Sequence, residues 1–366
     1  MIYLDNAATT KQEETSFETF SVYATEKFFN PSAIYANELA VELEQARALF
    51  VKKLGGASNA SVIFTGSATE SNNLVLNSVK DNIIISAGEH PSVYETCVHL
   101  TNQGKTITMI PLQSNGEIDC VKLEQAIDEK TSLVSVIHAS NETGAINDLK
   151  RIKEIIIRKN PKTLFHSDGV QAFLKIETPL EYYGVDFYTI SAHKVAGPKG
   201  IGALYAKNKN KLKAFVLGGG QEYSLRSGTL NMPAIMAFAE IVKNRVPNYQ
   251  KIITLRETLL AQLTEKGIQI TANGSPYVLS LSFEGVNGET LVNMLKSKEI
   301  YVSRGSACSS KKAGNRILES MGFDLNRIKS VVRISFFETN TEQEVIMAGK
   351  EINACYQELK QRTNRS

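Results

Sequence analysis

Between about residues 62 and 205 the chain repeats one alternation, a short apolar run followed by a longer amphipathic stretch. The runs fall at residues 62–64, 83–85, 107–110, 133–137, 164–165 and 187–190, with one more at 201–205. Strands separated by helical patterns favour a largely parallel sheet with helices laid over it. The last two runs differ, because only a segment punctuated by Gly197, Pro198, Gly200 and Gly202 divides them, which reads as a tight loop. The expected fold is α/β, with a large domain built on a mostly parallel sheet covered by helices.

Beyond about residue 240 the texture changes. Helical spacing over 252–263 leads to an alternating run at 277–283 with Val278, Leu279, Leu281 and Phe283, and residues 289–298 again read as helix. Thr341 and Glu344 form a candidate capping box, ahead of a last helix that would bury Val345, Ala348, Ile352, Cys355 and Leu359. This half is expected to be a smaller α+β domain. A length of 366 residues suits two or three domains. The expected division is 15–245 for the large domain, with 1–14 and 246–366 forming the small one.

Composition excludes several classes. The chain is 42% hydrophobic and 22% charged, as an ordinary globular protein is. Its 41 basic and 38 acidic residues leave a net charge of +3, which argues for neither nucleic acid nor a membrane as partner. Cys97, Cys120, Cys308 and Cys355 lie far apart without a CxxC pair, so neither zinc nor a disulfide framework is expected. That usage fits a reducing cytoplasm. The opening MIYLDNAATTKQEET lacks a secretory signal, and no apolar stretch approaches the roughly 20 residues of a membrane span.

In open α/β sheets the ligand lies outside the carboxyl ends of the strands, and the chemistry-bearing residues follow the apolar runs at those ends. After 62–64 comes Thr65-Gly66-Ser67-Ala68-Thr69-Glu70, small residues at a helix start that suit either an anion or plain N-capping. After 83–85 comes Glu89-His90-Pro91-Ser92-Val93, whose histidine can stack on a flat ring and move protons. Asn141 follows 133–137, and Asp168 and Gln171 follow 164–165. After 187–190 stand Ser191, His193 and Lys194; a lysine there becomes a nucleophile for an aldehyde cofactor if burial or nearby cations lower its pKa. Further on, Gly218-Gly219-Gly220 marks a closely approached backbone, and Arg226 and Thr229 look like anion ligands. Cys308, among small polar residues in GSACSS, reads as exposed and reactive, whereas the other three cysteines sit in helical patterns.

Taken together, YLDNAATT, NPSA, ATESNN, EHPSV, NETGAI, DGVQA, SAHK with GPKGIGALY, GGGQE, RSGT and GSACSS run nearly end to end. In that order they resemble the cysteine desulfurases of the NifS/IscS type, within the class-V aminotransferase group of fold-type I enzymes that use pyridoxal 5'-phosphate (PLP). The resemblance implies that Lys194 carries PLP covalently and moves the substrate's α-proton, and that His90 stacks on the ring and takes part in proton transfer. Asp168 would pair with the pyridine nitrogen and Gln171 with the phenolic oxygen. Ala68, Thr69, Ser191 and His193 would hold the phosphate, with Thr229 reaching it from the partner subunit of a homodimer. Asn141 and Arg333 would grip the carboxylate of L-cysteine. Cys308 would take the sulfur as a persulfide, leave L-alanine, and pass the sulfur to an acceptor in iron–sulfur cluster or tRNA-thiolation pathways. No metal is implied.

Four positions depart from the usual pattern: Tyr35, the order Gly66-Ser67, Tyr223-Ser224, and Phe337-Glu338. The alternatives are another class-V PLP enzyme, an aminotransferase or selenocysteine lyase, or a degenerate PLP-binding scaffold of the sulfur pathway.

Overall fold

The structure is a computed structural model and describes residues 1–80, 82–304 and 315–363. In chain order its strands are β1 (Ile2–Tyr3), β2 (Ser61–Thr65), β3 (Asn82–Ser86), β4 (Ile107–Ile110), β5 (Thr131–Ser135) and β6 (Leu164–Asp168). They continue with β7 (Phe187–Ser191), β8 (Gly202–Ala206), β9 (Ile268–Ile270), β10 (Val278–Phe283), β11 (Ile300–Tyr301) and β12 (Val331–Ser335). Seven of them form the central sheet, in the order β2-β8-β7-β6-β5-β3-β4. The strands from β7 to β4 pair in parallel, and β8 runs antiparallel to both β7 and β2. The reversal of β8 follows from the short connection before it, which leaves no room for a crossover helix.

Both faces of this sheet are covered, and the strands' alternation shows it. Val62, Phe64, Ile84, Val134 and Phe165 point into one core, while Ile63, Ile83, Ile85, Leu133 and Leu204 point into another. In the first, Phe50 packs edge-on to Phe64 and Phe238, with ring centroids 5.4 and 4.8 Å apart. A second sheet, β12-β10-β9, is antiparallel, and β1 pairs with β11 in parallel beside it. Its core joins Ile2 and Leu4 to Leu255, Leu259, Leu281, Phe283 and Ile352. The capping box at Thr341 is present in both directions: Thr341 N–H donates to Glu344 Oε2 at 2.8 Å and Glu344 N–H to Thr341 Oγ1 at 3.2 Å. It opens the helix Glu342–Thr363, which buries Val345, Ala348, Ile352, Cys355 and Leu359.

Two strand boundaries differ from expectation. β5 ends at Ser135 rather than 137, although Val136 and His138 still donate from their backbone to His166 and Asp168. β6 extends through His166, Ser167 and Asp168, which are polar yet at most 3% exposed. Their polarity hides them from an apolar-run reading. Burial is tolerated because partners are built in: His166 Nδ1 with Ser135 Oγ at 2.8 Å, and Ser167 Oγ donating to Val136 O at 2.7 Å. Among the described residues, no helix is long and apolar enough to cross a membrane.

The Tyr223-Ser224 departure falls in a turn where Glu222, Tyr223 and Ser224 all have positive φ, 47°, 58° and 63°. What holds it is a buried ion pair, with Arg47 donating to both Glu222 carboxylate oxygens at 2.7 Å. Glu222 also accepts from Phe64 N–H at 2.9 Å. Left-handed backbone is costly for a residue with a Cβ and nearly free for glycine. Ser224→Gly should therefore stabilise the protein by about 1 kcal/mol in urea unfolding, while Arg47→Met, which strands a buried carboxylate, should cost about 3–5 kcal/mol. A destabilised glycine variant would show that the Ser224 side chain supports the turn.

Candidate active site

A cavity of about 590 Å³ opens outside the carboxyl ends of the central strands, within the roughly 300–1,000 Å³ usual for small-molecule sites. His90, Ala68, Thr69, Asn141, Asp168, Gln171, Ser191, His193, Lys194 and Arg333 all line it, so ten of the twelve residues to which the resemblance gives roles converge there, while Arg226 is not part of the lining. Thr229 is exposed and is not part of the lining. Cys308 lies outside the described residues.

At one end of the cavity the helix Ala68–Ser78 begins, with Ser67 as its N-cap accepting from Glu70 N–H. Its N-terminal N–H groups and dipole favour an anion. Glu70 is held out of the way, accepting from Gly66 N–H at 2.8 Å and from Arg226 Nε at 2.7 Å. The loop lies so close to β8 that a Cβ on Gly202 would come within 2.6 Å of the Ser67 carbonyl carbon and 2.7 Å of Ala68 N. The glycine of GIGALY is therefore a packing requirement of this anion cradle.

Asp168 ends β6 and is 3% exposed. One carboxylate oxygen accepts from Val170 N–H at 3.0 Å and the other from Asn72 Nδ2 at 2.8 Å. Gly169 follows it because the Tyr188 ring fills the space a Cβ would need, 1.9 Å away. Gln171 donates from Nε2 to Ala7 O at 2.9 Å, and its Oε1 accepts from Lys175 Nζ at 2.8 Å. Lys175 thus fixes which face of the carboxamide is the donor. Burial, followed by the nearby Lys194 and Arg245, pushes the Lys175 amine down to about 7.

The Phe337-Glu338 departure supplies the wall behind this lysine. Lys175 Nζ sits 5.7 Å from the Tyr277 ring centroid, Tyr277 Oη donates to Glu338 Oε1 at 2.8 Å, and Arg245 pairs with Glu338 Oε2 at 2.5 Å. The Arg245 guanidinium lies over the Phe337 ring at 4.2 Å.

Lys194 donates to the carbonyls of Ala7 and Ala8, both at 2.6 Å. Burial, then Arg333, lowers its amine to about 8 against the pull of Asp5 and Asp168. His193 Nδ1 lies 3.2 Å from Thr9 Oγ1, and burial drops its pKa to about 4. Arg333, 5% exposed, donates to Asn141 O at 2.8 Å and Asp5 Oδ1 at 2.7 Å. Arg333 Nε and Asn141 Oδ1 are buried without a hydrogen-bond partner among the described residues. Such groups are costly unless a ligand meets them.

Sequence reasoning gave no role to Asn72, Ser92, Lys175 or Arg316. Lys175 is four residues past Gln171 and Ser92 two past His90, which was the available signal. Arg316 follows the GSACSS segment and donates to the carbonyls of Ala87 and Glu89 while lying 4.1 Å from the Tyr94 ring centroid. It ties the helix Arg316–Ser320 to the backbone just before His90. Beneath it the Glu89 carboxyl is fully buried, which raises it to about 8.

These residues fit PLP: a half-buried lysine with a lowered pKa, a buried carboxylate, a helix start for a phosphate and a histidine ring share one cavity. Among the described residues, no group of three or more His, Cys, Asp or Glu side chains is gathered as a metal would need.

Comparison with known proteins agrees with this geometry. Residues 2–347 match the family described as aminotransferase class-V. A cysteine desulfurase IscS of Rickettsia africae is 38% identical, covering 94% of this chain and 88% of its own. A NifS-type homologue from Lactobacillus delbrueckii subsp. bulgaricus is 37% identical, covering 94% of each. Among solved structures, a NifS-like protein superposes with a TM-score of 0.91 at 34% identity, over 98% of this chain and all of its own.

The lowered Lys194 pKa has a measurable sign. The free amine is the reactive form, and its share grows as pH rises through 8. Capture of added PLP by cofactor-free protein, scored as pyridoxyl left on Lys194 after borohydride reduction, should speed about tenfold from pH 7 to 9. Arg333→Leu should move that profile to higher pH. A flat profile, or label on Lys175 or Lys199, would contradict the assignment.

Proposed function

The chain belongs to the class-V aminotransferase family, and from that premise we propose that it is a PLP-dependent cysteine desulfurase acting on L-cysteine. The observation that supports this reading most is the convergence of Lys194, Asp168, His90 and the Arg333–Asn141 pair on one cavity. Lys194, Asp168, Gln171 and the cradle at Ala68, Thr69, Ser191 and His193 are the residues to hold the cofactor. Bound there, PLP supplies an electron sink for the charge left when the α-proton of cysteine departs. Arg333 takes the substrate carboxylate, for which its unpartnered Nε–H is the ready donor. Lys194, as free amine, takes the α-proton, and His90 covers the ring.

The Cys308 thiolate then attacks the sulfur of the substrate. The Cβ–S bond breaks with its electron pair left on the Cβ side, which gains a proton and becomes the methyl group of L-alanine. The sulfur remains on Cys308 as a persulfide until a second thiol, on an acceptor of iron–sulfur cluster assembly or tRNA thiolation, collects it. A cytoplasmic setting suits a carrier thiol that must stay reduced. The exposed Phe28, Ile34, Tyr35 and Leu217 support a homodimer, in which Thr229 reaches the partner's phosphate site. Residues 15–245 would then be the large cofactor domain, and 1–14 with 246–366 the small domain bearing Cys308.

The test is incubation of the purified, yellow holoprotein with L-cysteine. Alanine should appear, and without reductant one sulfur atom should accumulate on the peptide holding Cys308. Cys308→Ser should still change the cofactor spectrum on adding cysteine but release no sulfide. Persulfide on Cys97, Cys120 or Cys355, or normal sulfide release by the serine variant, would overturn the carrier role.

A further inference from the structure

The hydrogen bonds behind His90 decide which of its two ring nitrogens carries a proton. His90 caps the helix Pro91–Asn102, and the backbone N–H of Ser92 points at His90 Nδ1 from 3.1 Å. An amide N–H can only donate, so Nδ1 is an acceptor. Ser92 Oγ lies 2.8 Å from the same nitrogen. That hydroxyl already accepts from Asn72 Nδ2 at 2.8 Å, which turns its own proton toward Nδ1. Asn72 is completely buried, and the same Nδ2 donates to Asp168 Oδ2 at 2.8 Å. Reversing the carboxamide would set Asn72 Oδ1 against the Asp168 carboxylate. The observed orientation holds although Asn72 Oδ1 has no partner among the described residues.

We propose that Asn72 and Ser92 are positioning residues that hold His90 as its neutral Nε2–H tautomer, so that it presents a hydrogen-bond donor, and not a base, to the cavity. A proton on Nδ1 would have to displace both donors at once. Nε2, on the far side of the ring from the helix start, already bears its proton and has no lone pair to accept another. The proton-taking role beside the ring then falls to Lys194, and His90 acts by donating a hydrogen bond to the bound ligand. Burial is the largest influence on the ring and lowers its pKa; of the charged groups facing it, Asp168 and Glu142 pull the other way, while Lys194 and Arg316 act with burial.

This deepens the desulfurase reading, and rests on it only for the consequence in turnover. The test is the ring-nitrogen NMR spectrum of the full chain labelled with 15N-histidine, the His90 signals being those lost in His90→Gln. From pH 6 to 8 the wild type should show Nε2 protonated, Nδ1 bare and no imidazolium. In Ser92→Ala and Asn72→Leu, where the backbone N–H is the one donor still fixed on Nδ1, a fraction of Nδ1-protonated ring should appear and the His90 titration should move up toward the ordinary histidine range, with His138 and His166 unchanged as proof that the fold survives. A wild-type His90 protonated on Nδ1 overturns the proposal, even if neither variant folds. So does a His90 spectrum that both substitutions leave unchanged. The spectrum needs neither cysteine nor turnover, so a negative result leaves the desulfurase reading standing, and failure of the cysteine assay leaves the tautomer as measured.

Discussion

The structure depends on its first ten residues. Ile2 and Leu4 lie in the core of the smaller sheet, and Ser335 Oγ accepts from Ala7 N–H at 2.8 Å. Asp5 holds Arg333, and the carbonyls of Ala7 and Ala8 hold Lys194 and Gln171. Thr10 bonds to His193 O and Ala196 N–H. One N-terminal segment, turning at residues 6–8, thus sets Arg333, Lys194 and Gln171 in a common frame, although they come from different sheets. The backbone carbonyls matter most, because no side-chain substitution removes them.

Charge is the second organising factor. Lys194 and Arg333 line the cavity with Lys175 buried behind Gln171, and each lowers the pKa of at least one neighbour. Asp5, Asp168 and Glu338 offset the crowding without cancelling it. A lysine in such company is a free amine far more often near neutral pH than one in water, which is what a nucleophile needs. The Phe337-Glu338 pair, unusual against the motif pattern, is part of this arrangement: Glu338 is the carboxylate nearest the Lys175 end, and it also clamps Arg245 and Tyr277.

The sheet was largely legible in the sequence because its strands are apolar on both faces, as Ile83 to Ile85 and Leu133 with Val134 show. It became illegible where polarity and burial coincide, at His166, Ser167 and Asp168, since an apolar-run criterion reads such residues as loop. The reversed strand β8 was legible through the glycines before it. The residues of the site were visible at strand ends, but their supports were not. Asn72 meets Asp168 across 96 positions and Arg333 meets Asp5 across 328. No local spacing encodes such pairs; they exist only once the sheets are assembled.

That assembly has a temporal side. β1 pairs with β11, Ile2 opposite Ile300, so the first strand made waits for almost the last. A ribosome delivers roughly 5–20 residues per second, and through most of synthesis residues 2 to 5 lack their partners, which lie at residues 299–335. The seven-stranded sheet, complete by residue 206, can collapse meanwhile around a cavity that still lacks Arg333, although Ala7, Ala8 and Thr10 already have their partners at Lys194, His193 and Ala196. The site is therefore finished last, after Arg333 has emerged, and contacts of such long sequence separation are the slow ones to form. Nascent chains cut off before that point would hold the whole central sheet and the cavity residues from Ala7 to Ile201, yet lack Arg333.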